Sequence, residues 1–198
     1  MNLTSSIKVD LPCGKQVSLS NTLTYAGVTS ITRLLGKRQS ELEFTHLYLR
    51  YATVRIDADE AATNFSSQRD IRKCSVEDFK TELGSASFAI FPITAGSQLM
   101  SSDTELYQAN IIRFAVSFQA AGLGVKFRDT NLANYSIIYY MGLAERPKAG
   151  LIPNFDQTKH DAGDYDNILS VIRISDEDLF GVPATGTVDV KYDLNLNL

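Results

Sequence analysis

Thr187-Val188-Asp189-Val190-Lys191-Tyr192-Asp193-Leu194-Asn195-Leu196-Asn197-Leu198 is the stretch whose reading decides the fold. Val188, Val190, Tyr192, Leu194, Leu196 and Leu198 take every second place, and Asp189, Lys191, Asp193, Asn195 and Asn197 stand between them. Side chains along a strand point alternately to opposite faces, so a period of two predicts a strand with one buried face and one wet face. A helix would split the same residues between two sides, Val188, Tyr192 and Leu196 on one and Val190, Leu194 and Leu198 on the other.

Working outward, residues 110–119 repeat the pattern: Ile112, Phe114, Val116 and Phe118 point one way, and Ile111, Arg113, Ala115 and Ser117 the other. At the other end of the chain Ile7, Val9 and Leu11 lead into Pro12-Cys13-Gly14-Lys15 and then Val17 and Leu19, which is a hairpin signature. Residues 42–56 are rich in aromatic and β-branched side chains and predict one long strand or a bent pair. Residues 87–93 and 135–141 are apolar on both faces and predict buried strands. Pro92 places the first of these near a strand end or a sheet edge. Residues 168–174 predict a further strand. Gly122 and Gly124 mark a turn into Val125-Lys126-Phe127, and Gly181, Pro183 and Gly186 mark a turn region.

One segment changes period. Val28, Ile31, Leu34 and Leu35 recur at helical spacing, with Thr22 or Thr24 as N-cap and Gly36 placed for a left-handed C-cap. This predicts a short amphipathic helix over 24–35 whose apolar stripe packs on a sheet. Ser75 opens a possible second short helix that ends at Gly84. Two polar excursions, 57–73 and 144–167, interrupt the strands. There is no strand–helix–strand rhythm, internal repeat or low-complexity tract. The expected architecture is all-β: one domain over 1–198, an antiparallel β-sandwich of about seven strands with one short helix near the N-terminus.

Composition agrees with a folded domain. The 198 residues are 44% hydrophobic and 21% charged, with a formal net charge of −4. A chain of this length removes roughly 70% of its unfolded surface from water on folding. Lys and Arg are scattered, and Gly36-Lys37-Arg38-Gln39 is the nearest approach to a basic cluster. Nucleic acid needs several cations on one face, so it is not an expected partner. No apolar run approaches the ~20 residues that span a bilayer, so a membrane is not expected either. The start Met1-Asn2-Leu3-Thr4-Ser5-Ser6-Ile7-Lys8 shows no secretory leader pattern. Cys13 and Cys74 lie far apart and form no CxxC pair, which reads as two reduced thiols in a protein made in the cytoplasm.

The motifs of catalysis are missing: no GxSxG elbow, HExxH helix or Walker loop is present, and Gly122-Leu123-Gly124 lacks the third glycine and following helix of a dinucleotide fingerprint. His46 sits among strand aromatics and reads as packed or hydrogen-bonded. His160 lies in an acidic stretch with Asp161, Asp164 and Asp166. Grouped oxygen ligands can hold Ca²⁺, but the spacing is not that of an EF-hand loop and no Glu closes it, so a solvated loop is expected. Asp176-Glu177-Asp178 reads as an exposed turn rather than a glycosidase pair. No catalytic, cofactor or metal residue is assigned, and the chain is not expected to be an enzyme. Tyr48, Tyr51, Tyr135, Tyr139 and Tyr140 fall inside strands. They could fill the core, line a subunit interface or stack on sugars, and the sequence leaves the three open.

The order of segments resembles that of small structural proteins from tailed-bacteriophage fibres, collars and related appendages. The likeness rests on the helical segment 23–35, the strand Thr45-His46-Leu47-Tyr48-Leu49-Arg50-Tyr51, and the strand over 110–118. It continues through Ile137-Ile138-Tyr139-Tyr140-Met141-Gly142-Leu143 and ends in the alternating strand 186–194. Tyr139-Tyr140 stands where those proteins carry an Arg-Glu pair, and Asp57-Ala58-Asp59-Glu60 where they carry a Gly-rich loop. The resemblance implies a virion structural protein, made in the host cytoplasm, that binds copies of itself, a trimer by analogy, and other virion proteins. The alternative is a carbohydrate-binding module for host-surface glycans.

Overall fold

The computed structural model describes residues 2–36, 44–52, 70–80, 86–93, 95–100, 111–123, 135–146, 154–161, 164–175, 180–183 and 185–197. Among these, the strands form a five-stranded sheet and a six-stranded sheet, and every pairing is antiparallel. The first, sheet A, contains β1 (Asn2–Asp10), β2 (Gln16–Ser20), β6 (Ala95–Met100), β7 (Ile111–Gln119) and β11 (Thr187–Asn197), in the order β2-β1-β11-β7-β6. The second, sheet B, contains β3 (Thr22–Leu23), β4 (Phe44–Ala52), β5 (Ala86–Pro92), β8 (Tyr135–Glu145), β9 (Asn167–Arg173) and β10 (Phe180–Pro183). Its order is β3-β9-β8-β4-β5, and β10 pairs with the start of β8. The all-β sandwich expectation holds, with more strands than the seven read from the pattern. β3, β6 and β10 are too short or too weakly alternating to show a period. β10 also replaces part of the turn region expected around Gly181 and Pro183.

β11 is the middle of sheet A. It runs against β1 from Asn2↔Asn197 to Asp10↔Asp189, and against β7 from Thr187↔Gln119 to Asn195↔Ile111. Val188, Val190, Tyr192 and Leu194 are buried on the face they share with Ile7, Val9, Phe114, Val116 and Phe118. Leu47, Leu49, Met141, Leu143, Leu169 and Ile172 of sheet B close this inner core from the other side.

A second core lies on the far face of sheet B. It joins Tyr48, Ile137, Tyr139, Tyr140, Ala144, Ile168 and Val171 to Cys74, Val76 and Phe79, which belong to a 3-10 turn (Ile71–Lys73) and its continuation into the helix α2 (Val76–Lys80). Being covered on both sides explains why β8 and β9 are apolar on both faces. A bulge sharpens the effect: Arg50 pairs with Tyr140 and Tyr51 with Ile138, so Tyr139 is the extra residue. Tyr139 and Tyr140 therefore both join the second core. β5 differs. It is an edge strand with half-buried side chains, not a buried one, and ends at Pro92 as the sequence suggested.

The helix α1 (Tyr25–Leu35) forms where expected, with Thr24 as N-cap: the Gly27 N–H donates to Thr24 Oγ1 at 2.9 Å. Its packing differs from expectation. Among the described side chains the buried positions are Thr24, Gly27 and Ser30; Ile31 is half-buried, Val28 is 49% exposed and Tyr25 47%, and the side chains of Leu34 and Leu35 lie outside the described residues. The reason is distance. A Cβ on Gly27 would lie 2.0 Å from the Leu169 carbonyl oxygen, so the helix approaches β9 closely enough to select for small residues, not apolar ones. The second short helix also forms. Its opening is fixed by the Asp78 carboxylate, which accepts from the Ser75 N–H at 2.7 Å and the Ser75 hydroxyl at 2.8 Å. A third, α3 (Gln157–Asp161), lies within the polar excursion over 144–167.

Candidate functional site

Polar side chains inside the molecule gather on the covered face of sheet B. Alternation along β4 places His46, Tyr48 and Arg50 on that face. Asp166, just before β9, enters from above, and its side chain is 0% exposed. It accepts from Arg146 Nε at 2.7 Å and from the Tyr48 hydroxyl at 3.0 Å, and His46 Nδ1 stands 3.6 Å away. Burial pushes the Asp166 carboxyl up, but His46, Arg146 and Tyr48 oppose it and hold the group below its ordinary 3.8. Burial and the Asp166 charge raise the Tyr48 phenol, so it stays a neutral donor. A carboxylate kept ionised, with both oxygens occupied and no water access, is a weak base. The arrangement acts as a bolt between β4, β8 and β9.

Two further contacts strap the covering layer down. Arg50 is fully buried and donates through Nη1 to the Phe79 carbonyl at 3.2 Å, at the C-terminal end of α2. Ser30 of α1 donates to the buried Glu145 carboxylate at the end of β8. At the corner where the chain crosses from sheet A to sheet B, the Asn21 amide donates to the Tyr192 hydroxyl and to Ser170 Oγ at 3.1 Å, and its oxygen accepts from Ser5. The outward face of sheet A carries a ladder of its own: Lys191 reaches Asp10 at 2.8 Å and Ser117 donates to Asp189 at 2.5 Å, while Arg113 grips Asp193, which is itself buried, at 2.6 Å.

Of the residues singled out in the sequence, His46 and Asp166 are brought together, which their separation in the chain did not suggest. Asp164 pairs with Lys80 at 2.8 Å instead of sharing an ion with Asp166. Tyr48, Tyr51, Tyr139 and Tyr140 are buried in this chain's own two cores. The Tyr51 hydroxyl donates to the Leu123 carbonyl. Cys13 is exposed, Cys74 is buried, and both are free thiols. The side chains of Tyr135, His160, Asp161 and Leu196, together with residues 37–39, 176–178, 124–127 and 198, lie outside the described residues. Arg146 was missed. Its signal was a charged pair, Glu145-Arg146, closing an apolar run.

The remaining feature is an edge. β3 has two residues, β10 ends in Pro183, β5 ends in Pro92, and the pairing of β6 shifts between Ala95 and Gln98. Short length, proline and irregular pairing are the usual protections of a free edge. Among the described residues β2, Gln16-Val17-Ser18-Leu19-Ser20, pairs on one side only, has none of them and carries no charge. Its register with β1 is unbroken. The Leu11 N–H donates to the Lys15 carbonyl at 2.9 Å. Bonded and non-bonded pairs alternate in an antiparallel ladder. The backbone groups of Val17 and Leu19 therefore face β1, and those of Gln16, Ser18 and Ser20 point off the sheet.

Among the described residues no helix is long and apolar enough to cross a membrane, and no group of three His, Cys, Asp or Glu side chains is placed to hold a metal ion. Comparison with protein-family models, with curated proteins and with solved structures finds no match.

Proposed function

We propose that this chain is a non-catalytic structural subunit of a tailed-phage virion, acting by protein–protein binding in the capsid, neck, tail or fibre. The observation that supports binding is β2, which among the described residues is an uncharged edge strand free of proline and of register shifts, at the rim of a sandwich whose buried Asp166 and Arg50 are engaged in internal bolts. An open edge offers a row of backbone donors and acceptors to another strand. The virion assignment is supported by the order of segments. Its partners would be copies of itself and other virion proteins. The carbohydrate-binding alternative loses four of its five strand tyrosines, because Tyr48, Tyr51, Tyr139 and Tyr140 are inside the cores and present no stacking face, and the side chain of Tyr135 lies outside the described residues. Mass spectrometry of purified particles tests the reading: the chain should be present in a fixed copy number, and its absence would overturn the virion role.

A further inference from the structure

We propose that β2 pairs with β2 of a second copy of this chain, antiparallel and centred on Ser18, so that sheet A continues across a two-fold axis. This names the partner within the assembly reading and rests on it.

The strand is its own complement. In a register centred on Ser18, Gln16 lies opposite Ser20, Val17 opposite Leu19, and Ser18 opposite itself. This is the register that pairs all five residues and keeps Val17 and Leu19 on the core side, where both are half-buried against the inner core. Moving the partner by one residue would turn its apolar side chains to the wet face. No charge meets a like charge along the strand. The backbone agrees. Gln16, Ser18 and Ser20 have the outward-pointing groups, and in this register they face each other as bonded pairs. Val17 and Leu19 form the non-bonded pairs, where cross-strand side chains come closest. A contact of this kind uses the same patch on both subunits and closes at two copies, so it replaces, at this surface, the trimer expected by analogy.

The backbone direction also supplies the test. The Ser18 N–H points off the sheet, so Ser18→Pro removes a donor from the dimer and none from the β1–β2 ladder. Ser18→Lys keeps the donor and sets two cations opposite each other across the axis. Light scattering should give the wild type twice the subunit mass of 21.9 kDa and Ser18→Pro the single mass, with circular dichroism unchanged. Ser18→Lys should be monomeric at low salt and return towards the dimer as salt shortens the screening length to about 3 Å at 1 M. A wild type that is monomeric at high concentration overturns the proposal. So does an oligomer that both variants leave intact. A monomeric wild type present in purified particles would overturn the self-pair and leave the assembly reading standing. A dimer abolished by both variants, in a chain absent from particles, would support the pair and overturn the virion role.

Discussion

Sheet A turns Arg113, Ser117, Asp189 and Lys191 to water, whereas sheet B turns Tyr48, Arg50, Tyr139 and Tyr140 into a second core beneath α2 and the 3-10 turn. Both faces are built on strand alternation and both carry ion pairs. The difference is what happens when a pair breaks. On the open face each partner of the Lys191–Asp10 pair falls back on water. On the covered face it has nothing to fall back on, because the layer that excludes solvent is held by the same charges. A buried pair therefore adds little net stability when whole and costs much when halved.

The largest expected effect tests the middle strand of sheet A, which supplies Val188, Val190, Tyr192 and Leu194 to the inner core. Deleting residues 192–198 removes Tyr192 and Leu194, both buried, from the middle strand of sheet A. Each such side chain contributes roughly 1.5–3 kcal/mol on burial, against a whole-domain stability of about 5–15 kcal/mol. Since β1 and β7 also lose backbone partners, the truncated chain should be insoluble. Recovery of soluble protein with an unchanged melting temperature would refute the central position of β11.

Next comes Asp166→Ala, which strands Arg146, whose side chain is only 10% exposed. The cost should be about 3–5 kcal/mol by denaturant titration. The same carboxylate sets an acid limb. Its folded-state value is depressed, so its contribution is present above the unfolded value and is lost as pH falls through the folded one. Wild-type stability should hold from neutral pH down to about 5 and fall below about 4, and Asp166→Ala should fall less steeply. A parallel pH profile in the two proteins would show that Asp166 is not the bolt described.

Gly27→Ala tests the helix seat. The added Cβ meets backbone, not a flexible side chain, so α1 must lift from β9. Overpacking of this kind costs typically about 1–3 kcal/mol. A gain in stability, the usual result for alanine in a helix, would mean that the close approach is wrong. The smallest effect belongs to the open face: Lys191→Ala breaks a pair with Asp10 in which the side chains are 42% and 32% exposed. Less than about 1 kcal/mol should be lost. If this substitution costs as much as Asp166→Ala, the contrast between the two faces fails.

The sequence was readable where one face of an element is wet. β11, β7 and the β1–β2 hairpin alternate because water and core select different side chains. β8 was readable only as buried; its run over 135–144 cannot say that a second layer, rather than a deeper first one, covers it. For α1 the apolar spacing failed at Val28, which is exposed. Gly27 and Ser30 make the contact, and a close backbone approach selects for size, which hydrophobic periodicity does not measure. The bolt was the least legible. Asp166 sits in an acidic stretch that reads as solvated, and its partners come from β4 and the end of β8. Nothing local in the chain reports that three separated segments converge. The tyrosines were ambiguous between core, interface and sugar binding because residue type alone carries no depth.

The place of β11 has a consequence for the order of events during synthesis. Asn2 pairs with Asn197 and Asp10 with Asp189, and β7 waits for the same partner. A ribosome making this chain therefore displays the β1–β2 hairpin with one long side unpaired until β11 has been made. Among the described residues sheet B has all its strands by Pro183 and can close first, whereas sheet A closes only when the following segment is released. Pairings this distant make for slow folding and a long exposure to sticky encounters. Nascent chains should thus be most vulnerable just before β11 emerges, and a chaperone that shields strand edges would act in that interval.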